Sequence, residues 1–144
     1  MGYTLGLKRS CLTSEEIERR LADAGVHATA QRIAIARYVL CEADHPTADQ
    51  VKSWADKNFP KMSMATVYNT LKILVAAGLL KKIAFPHLNE AVYDDNITAH
   101  YHLIDEKTGR MSDLDPADFK VTANLKGVRI KEIEIFIKGR RELS

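Results

Sequence analysis

The stretch Pro60-Lys-Met-Ser-Met-Ala-Thr-Val-Tyr-Asn-Thr-Leu-Lys-Ile-Leu-Val-Ala-Ala-Gly-Leu-Leu80 decides how the rest of the chain is read. Ser63 is a natural N-cap, because its hydroxyl can accept from the orphan amides of a first helical turn. Val67, Leu71, Leu74 and Val75 then recur at helical spacing and predict one buried face. Gly78 predicts the stop. The opposite face carries Ser63, Thr66, Tyr68, Asn69 and Lys72, all hydrogen-bonding or cationic side chains. Side chains of this kind meet base edges and phosphates when a helix lies in a DNA major groove. An ordinary surface helix shows the same periodicity, so the neighbouring segments must decide between the two.

Outward from this helix, three earlier segments also read as helices. Thr13-Ser14-Glu15-Glu16 is a capping box, with Ile17, Leu21 and Ala24 following at helical spacing and Gly25 closing the segment. A second start lies at Thr29, with Ile33, Ala36, Val39 and Leu40 as the apolar stripe. His45-Pro46 breaks the chain, since a residue before proline is pushed out of the helical region. Thr47 opens a third helix, whose Val51 and Trp54 or Ala55 face inward, ending near Phe59-Pro60. After Gly78 the period changes. Residues 79–85 and 90–94 read as two strands joined by Pro86-His87-Leu88-Asn89. Helices followed by a two-stranded hairpin predict a winged helix, in which the helix before the wing enters the major groove.

The second part of the chain reads differently. Residues 100–105 alternate, Glu106-Lys-Thr-Gly109 has the composition of a hairpin turn, and Arg110 to Leu114 forms the return. A polar segment containing Pro116 and Gly127 predicts at most a short helix. Val128, Ile130, Ile133, Ile135 and Ile137 predict a last strand, with one parity slip that a bulge would absorb. Three strands in about 50 residues are few for an independent fold, so this unit is expected to pair with a second copy. The resulting fold class is α+β: an N-terminal winged-helix DNA-binding domain over residues 1–92 and a small C-terminal α/β dimerisation domain over residues 93–144. A symmetric dimer would present two groove helices to a palindromic site.

Composition bounds the function classes. The 144 residues are 46% hydrophobic and 28% charged, which are globular values. No run of about 18 apolar residues exists to span a membrane, and the first residues lack a secretory apolar core. Cys11 and Cys41 stand far apart in no CxxC pattern, which fits a reducing cytoplasm and predicts neither a disulfide framework nor a cysteine zinc site. On this reading Cys41 is a buried thiol and Cys11 an exposed bystander. The formal net charge is only +2, with 12 Lys/Arg against 9 Asp/Glu in residues 1–92 and 9 against 10 in residues 93–144. That mild asymmetry permits DNA binding by the first part.

Histidines mark the candidate chemistry. His100-x-His102 on a strand projects both imidazoles from one face. Asp94 ends the wing, Asp113 is expected opposite the histidines across the Glu106–Gly109 turn, and His45 lies in the interhelical turn. Mixed imidazole and carboxylate donors suit Fe²⁺, Mn²⁺ or Zn²⁺, and five donors without thiolate lean toward iron or manganese. Hydrogen-bonded surface histidines and an Asp94-Asp95-Asn96 turn are the competing reading, and His27 and His87 are assigned to the surface. No Gly-x-Ser-x-Gly, HExxH, P-loop or Gly-x-Gly-x-x-Gly motif is present. A small metalloenzyme using the same cluster and an interaction module with a structural metal remain alternatives.

Taken together, Gly25–Arg32, His45-Pro-Thr-Ala48, Pro60–Leu71, Tyr93-Asp-Asp-Asn96 and His100-Tyr-His102, with Gly109 and Asp113, resemble the ferric uptake regulator family of bacterial metal-dependent repressors. The resemblance implies a winged-helix domain, a dimerisation domain and a regulatory Fe²⁺ or Mn²⁺ between them at His45, Asp94, His100, His102 and Asp113, with Zn²⁺ able to substitute in vitro. It implies DNA contacts from Tyr68 and its neighbours Ser63, Ala65, Thr66, Asn69 and Lys72. Arg32 and the basic residues before the first helix, Lys8 and Arg9, complete the DNA set. The implied partners are an AT-rich palindromic DNA operator and a second copy of the chain, in the cytoplasm. Departures also matter. Asp105 and Thr108 stand where the family's first CxxC pair holds structural zinc, and the second pair is missing, so no structural zinc is expected. Ala99 and Tyr101 flank His100 where an additional metal site would need His and Asp. Asp94 and Asn69 resemble the peroxide-sensing branch, whereas the missing CxxC and the short segment after Asp113 resemble the haem-responsive iron regulators.

Overall fold

In the computed structural model, residues 11–84, 89–97 and 100–140 and Glu142 are described. Two compact units divide at Ile97–Thr98.

Unit 1 begins with α1 (Ser14–Asp23), α2 (Ala30–Arg37), α3 (Ala48–Asn58) and α4 (Met64–Ala76), followed by β1 (Lys81–Ile83) and β2 (Val92–Asp94). All four helices start on a hydroxyl cap. Thr13, Thr29, Thr47 and Ser63 each accept from the amide three residues on, and Glu16 and Gln50 reciprocate to the amides of Thr13 and Thr47. Hydrogen bonding from the Thr13 amide, and then from its hydroxyl, holds the Glu16 carboxyl below its ordinary pKa. Gly25 and Gly78 close α1 and α4 with φ of 76° and 74°, the left-handed conformation a helix stop requires.

The core of unit 1 is continuous. Ile17 and Leu21 of α1, Ile35 and Ala36 of α2, Val51 and Ala55 of α3, and Val67, Leu71 and Leu74 of α4 are fully enclosed. Thr70 is also buried, its hydroxyl donating to the Thr66 carbonyl, while Val75, expected inside, is only half-buried. The inward face of α4 is therefore rotated by about one residue toward Thr70. Tyr38 stacks on Trp54 with ring centroids 4.3 Å apart and 8° between planes. The wing is an antiparallel pair in the register Lys81↔Asp94, Lys82↔Tyr93 and Ile83↔Val92. Each strand is shorter than its sequence pattern. Phe85, Pro86, His87 and Leu88 lie outside the described residues.

Between α2 and α3 the helix widens into a π turn, Tyr38–Glu42, closed by the Ala43 amide on the Tyr38 carbonyl at 2.8 Å. Here the structure corrects the cysteine expectation. Cys11 and Cys41 are joined in a disulfide, with Cα atoms 4.6 Å apart. Sequence separation concealed the pair, because α1 and α2 fold back on each other and bring residues 11 and 41 side by side.

Unit 2 is a three-stranded sheet of order β4-β3-β5, with β3 (Tyr101–Asp105), β4 (Met111–Leu114) and β5 (Phe136–Gly139). The β3–β4 hairpin matches expectation. Asp105 fastens its turn by accepting from the amides of Lys107 and Thr108, and Gly109 adopts φ 73°. β5 pairs parallel to β3 over Phe136–Gly139 only, with the Ile135 carbonyl accepting from the His102 amide at 3.1 Å, so most of the strand expected from Val128 to Ile137 does not form. The short helix expected near Pro116 is a single 3₁₀ turn, Pro116–Asp118. Among the described residues no helix is long and apolar enough to cross a membrane.

Candidate metal centre and nucleic-acid interface

His45 follows the π turn and adopts φ 46°, a left-handed conformation rare for a side-chain-bearing residue. Two backbone contacts hold this turn to the wing: the Tyr93 amide donates to the Pro46 carbonyl at 2.8 Å, and Thr47 bridges to Val92. The result is local and specific. His45 Nε2 lies 3.2 Å from Asp94 Oδ2, while Nδ1 lies 2.8 Å from Asp44 Oδ1. Asp94 is fully buried at the end of β2, and its Oδ1 accepts from the Asn96 amide at 2.9 Å. One carboxylate oxygen is thus turned toward the chain and the other toward the imidazole.

In unit 2, the register of β3 and β4 places His102 opposite Asp113, and β5 places Phe136 on its other side. Phe136 stacks over His102 at 6.1 Å with 19° between the rings. His100 precedes β3, and its Nε2 is 2.9 Å from that of His102. Both nitrogens face Asp113 Oδ1, at 3.3 Å from His100 and 3.5 Å from His102. Both imidazoles are buried. Two ring nitrogens and a carboxylate oxygen converging within such distances form an N/O donor set, and neutral imidazoles with carboxylates suit a divalent ion of the Fe²⁺, Mn²⁺ or Zn²⁺ class.

The structure thus brings the five sequence-predicted ligands into two groups: His45 with Asp94 in unit 1, and His100, His102 and Asp113 in unit 2. Asp44 was not among the sequence candidates. Its signal was available as an acidic residue beside a histidine, but only the strained turn shows that it meets Nδ1 and leaves Nε2 directed at Asp94.

The DNA candidates separate similarly. On α4, Ala65, Tyr68, Asn69 and Lys72 are exposed and form one stripe at helical spacing. Ser63 and Thr66 are tied to the cap, their hydroxyl oxygens 3.0 Å apart. Arg32 turns its guanidinium back on its own chain, donating to the His27 carbonyl at 2.6 Å. Lys8 and Arg9 lie outside the described residues. Tyr68 is half exposed, and β2 places Tyr93 near it: burial first, and Tyr68 second, hold the Tyr93 phenol above its ordinary pKa. At the position expected for a zinc-binding CxxC, the structure shows the Asp105-fastened turn, with Thr108 at its other end.

The chain is similar to known proteins. Over 99 residues the chain is 38% identical to the peroxide-responsive repressor PerR of Staphylococcus epidermidis, covering 69% of this chain and 65% of that protein. The Staphylococcus aureus repressor of the same name is 37% identical over 99 residues, 69% of this chain and 66% of the relative. The match therefore spans slightly less than two thirds of these relatives' length. Among solved structures, a zinc-bound manganese uptake regulator is 26% identical with a TM-score of 0.65, covering 88% of this chain and 98% of the other. The peroxide-sensing PerR of Streptococcus pyogenes shares the fold at a TM-score of 0.54 and 24% identity, covering 98% of this chain and 96% of its own. The profile of the ferric uptake regulator family matches residues 23–137. With helices, wing, sheet and histidine–aspartate groups all in place, this chain belongs to the ferric uptake regulator family.

Proposed function

We propose that this chain is a metal-dependent, DNA-binding transcriptional repressor acting as a homodimer, with Fe²⁺ or Mn²⁺ held by His45, Asp94, His100, His102 and Asp113. The observation that carries this reading is the convergence of His100 and His102 on the Asp113 carboxylate. In unit 1, His45 and Asp94 supply the matching imidazole and carboxylate. A bound divalent ion supplies the free energy that selects one arrangement of the DNA-reading unit. His45 and Asp94 transmit that choice through the wing, since Asp94 directly follows Tyr93, the neighbour of Tyr68 on the reading helix. The exposed stripe Ala65, Tyr68, Asn69 and Lys72 meets base edges and phosphates of an AT-rich palindrome. The second copy covers the apolar side chains that unit 2 exposes, among them Leu125, Val128, Ile130 and Ile133. Residues 1–92 form the DNA-binding domain and residues 93–144 the dimerisation and sensing domain, working in the cytoplasm.

The decisive experiment is fluorescence anisotropy of a labelled palindrome titrated with metal-free protein and then with Mn²⁺, Fe²⁺ or haem. Divalent metal is expected to tighten binding by roughly 5–150-fold, the range of ordinary allosteric coupling. His102→Ala should erase that gain, and metal-independent binding by both proteins would sink the proposal. Asp94, Asn69 and the 38% identity to a peroxide-responsive repressor favour peroxide as the signal. Iron-loaded protein exposed to peroxide should then gain one oxygen on His45 or His100 and lose DNA, whereas manganese-loaded protein should not. A response to haem alone would replace peroxide with haem as the signal.

A further inference from the structure

The Cys11–Cys41 bond lies outside the metal groups and is not used by the repressor mechanism. Its position is specific. Cys11 stands two residues before the Thr13 cap of α1, and Cys41 lies within the π turn between α2 and α3. Both residues are only partly buried. The π turn leads directly into Asp44 and His45, where the backbone is strained. The far end of this connection is already fastened, because Pro46 accepts from Tyr93. Besides the Ala43–Tyr38 and Pro46–Tyr93 hydrogen bonds, the closed disulfide therefore adds a covalent tie at Cys41, at the start of the segment that ends at Pro46.

We propose that Cys11 and Cys41 are a reversible thiol–disulfide pair, closed by a hydroperoxide and reopened by a small thiol, that sets the mobility of the turn carrying His45. In the closing reaction one cysteine thiolate attacks a peroxide oxygen. The O–O bond breaks, the sulfur becomes a sulfenic acid, and the leaving oxygen departs as water. The second thiolate then attacks the sulfenic sulfur, forms the S–S bond and expels a second water. Two thiols lose two electrons, one hydrogen peroxide gains them, and both thiol protons end in water. Reopening by dithiothreitol returns two electrons through a mixed disulfide. A change of turn mobility reaches His45 through Ala43 and Asp44, and so alters the donor paired with Asp94. Only the metal readout below rests on the repressor reading.

The test starts from metal-free, full-length protein. After reduction and removal of reductant, alkylation and intact mass should find two modified thiols. Hydrogen peroxide should bring that to none, and dithiothreitol should restore both. Amide exchange of a peptide covering residues 38–47 should be at least about threefold slower in the oxidised form. Cys11→Ser should show the faster exchange in either condition, and Cys41→Ser should do the same if one variant folds poorly. Mn²⁺ affinity should also differ between the oxidised and reduced wild-type protein, and not between the two treatments of Cys11→Ser. Thiols that stay alkylatable after peroxide, a bond that dithiothreitol cannot open, or equal exchange in both forms would each overturn the switch. Absence of Mn²⁺ binding in every state would instead count against the repressor reading, because the thiol and exchange measurements need no metal.

Discussion

His45 Nε2 lies 3.2 Å from Asp94 Oδ2, joining a strained interhelical turn to the last residue of the wing. Neither residue is held by its own helix or strand alone. The Pro46–Tyr93 hydrogen bond and the Thr47–Val92 bridge hold the turn against β2, and the Asn96 amide fixes the carboxylate. The contact thus links the placement of the His45 ring to the strand that carries Tyr93, the neighbour of Tyr68 on α4.

Asp44 is the orienting partner of that histidine, through Nδ1 at 2.8 Å. Asp44→Asn removes the charge and changes which hydrogen bond the ring can make. Loss of such an outer partner typically weakens metal affinity by about 10–100-fold. Mn²⁺ binding, followed by electron paramagnetic resonance, is expected to fall within that range while the thermal midpoint stays close to wild type. A fall in the midpoint without any change in affinity would show that Asp44 only supports the turn.

DNA contacts on α4 should divide by chemistry. Lys72 is exposed and cationic, so Lys72→Gln should weaken binding to all sequences and lower the slope of log K against log salt by about 1. Tyr68→Ala should instead reduce discrimination between the palindrome and a scrambled duplex. Anisotropy titrations at several salt concentrations separate these outcomes, and unchanged slopes and ratios for both variants would remove α4 from the interface.

Leu71 is fully enclosed in the core of unit 1. Leu71→Ala should destabilise the protein by about 2–5 kcal/mol, because transfer energy is lost and a cavity remains. Urea unfolding followed by the single tryptophan, Trp54, measures this directly. A loss below about 1 kcal/mol would mean that α4 is not packed as described.

Tyr38 supplies a pH dependence. Burial, and then the nearby Glu42 charge, hold its phenol above the ordinary value of 10.0. The folded protein therefore keeps this proton at a pH where the unfolded chain has released it. Stability is unaffected below about pH 10 and falls as pH rises beyond, since the unfolded state then binds fewer protons. Tyr38→Phe should retain the stacking on Trp54 and show a shallower alkaline decline in urea midpoints. An identical decline in both proteins would assign it to other groups.

Much of this was legible because local chemistry has short range. The hydroxyl caps at Thr13, Thr29, Thr47 and Ser63 announced four helices, and a capping interaction needs only residues three apart. Counting across a four-residue turn placed Asp113 opposite the His100–His102 pair, and the register sets it against His102. Periodicity also placed Tyr68, Asn69 and Lys72 on the exposed face of α4.

What the tertiary structure alone decided concerns residues far apart in sequence, or alternatives that local pattern leaves equal. The disulfide between Cys11 and Cys41 depends on how α1 folds back on α2, and no spacing rule encodes that approach. Burial of Thr70 and partial exposure of Val75 follow from the rotation of α4 against its neighbours, which a 3.6-residue period fixes only to within a residue. The apolar run before β5 stays largely outside the sheet, because β-propensity describes fit to a pleated surface and only four residues find a partner strand. His45 received its left-handed backbone and its Asp44 partner from the π turn behind it and the wing before it. Sequence named the candidate histidines and aspartates; packing between distant segments determined where their nitrogens and oxygens point.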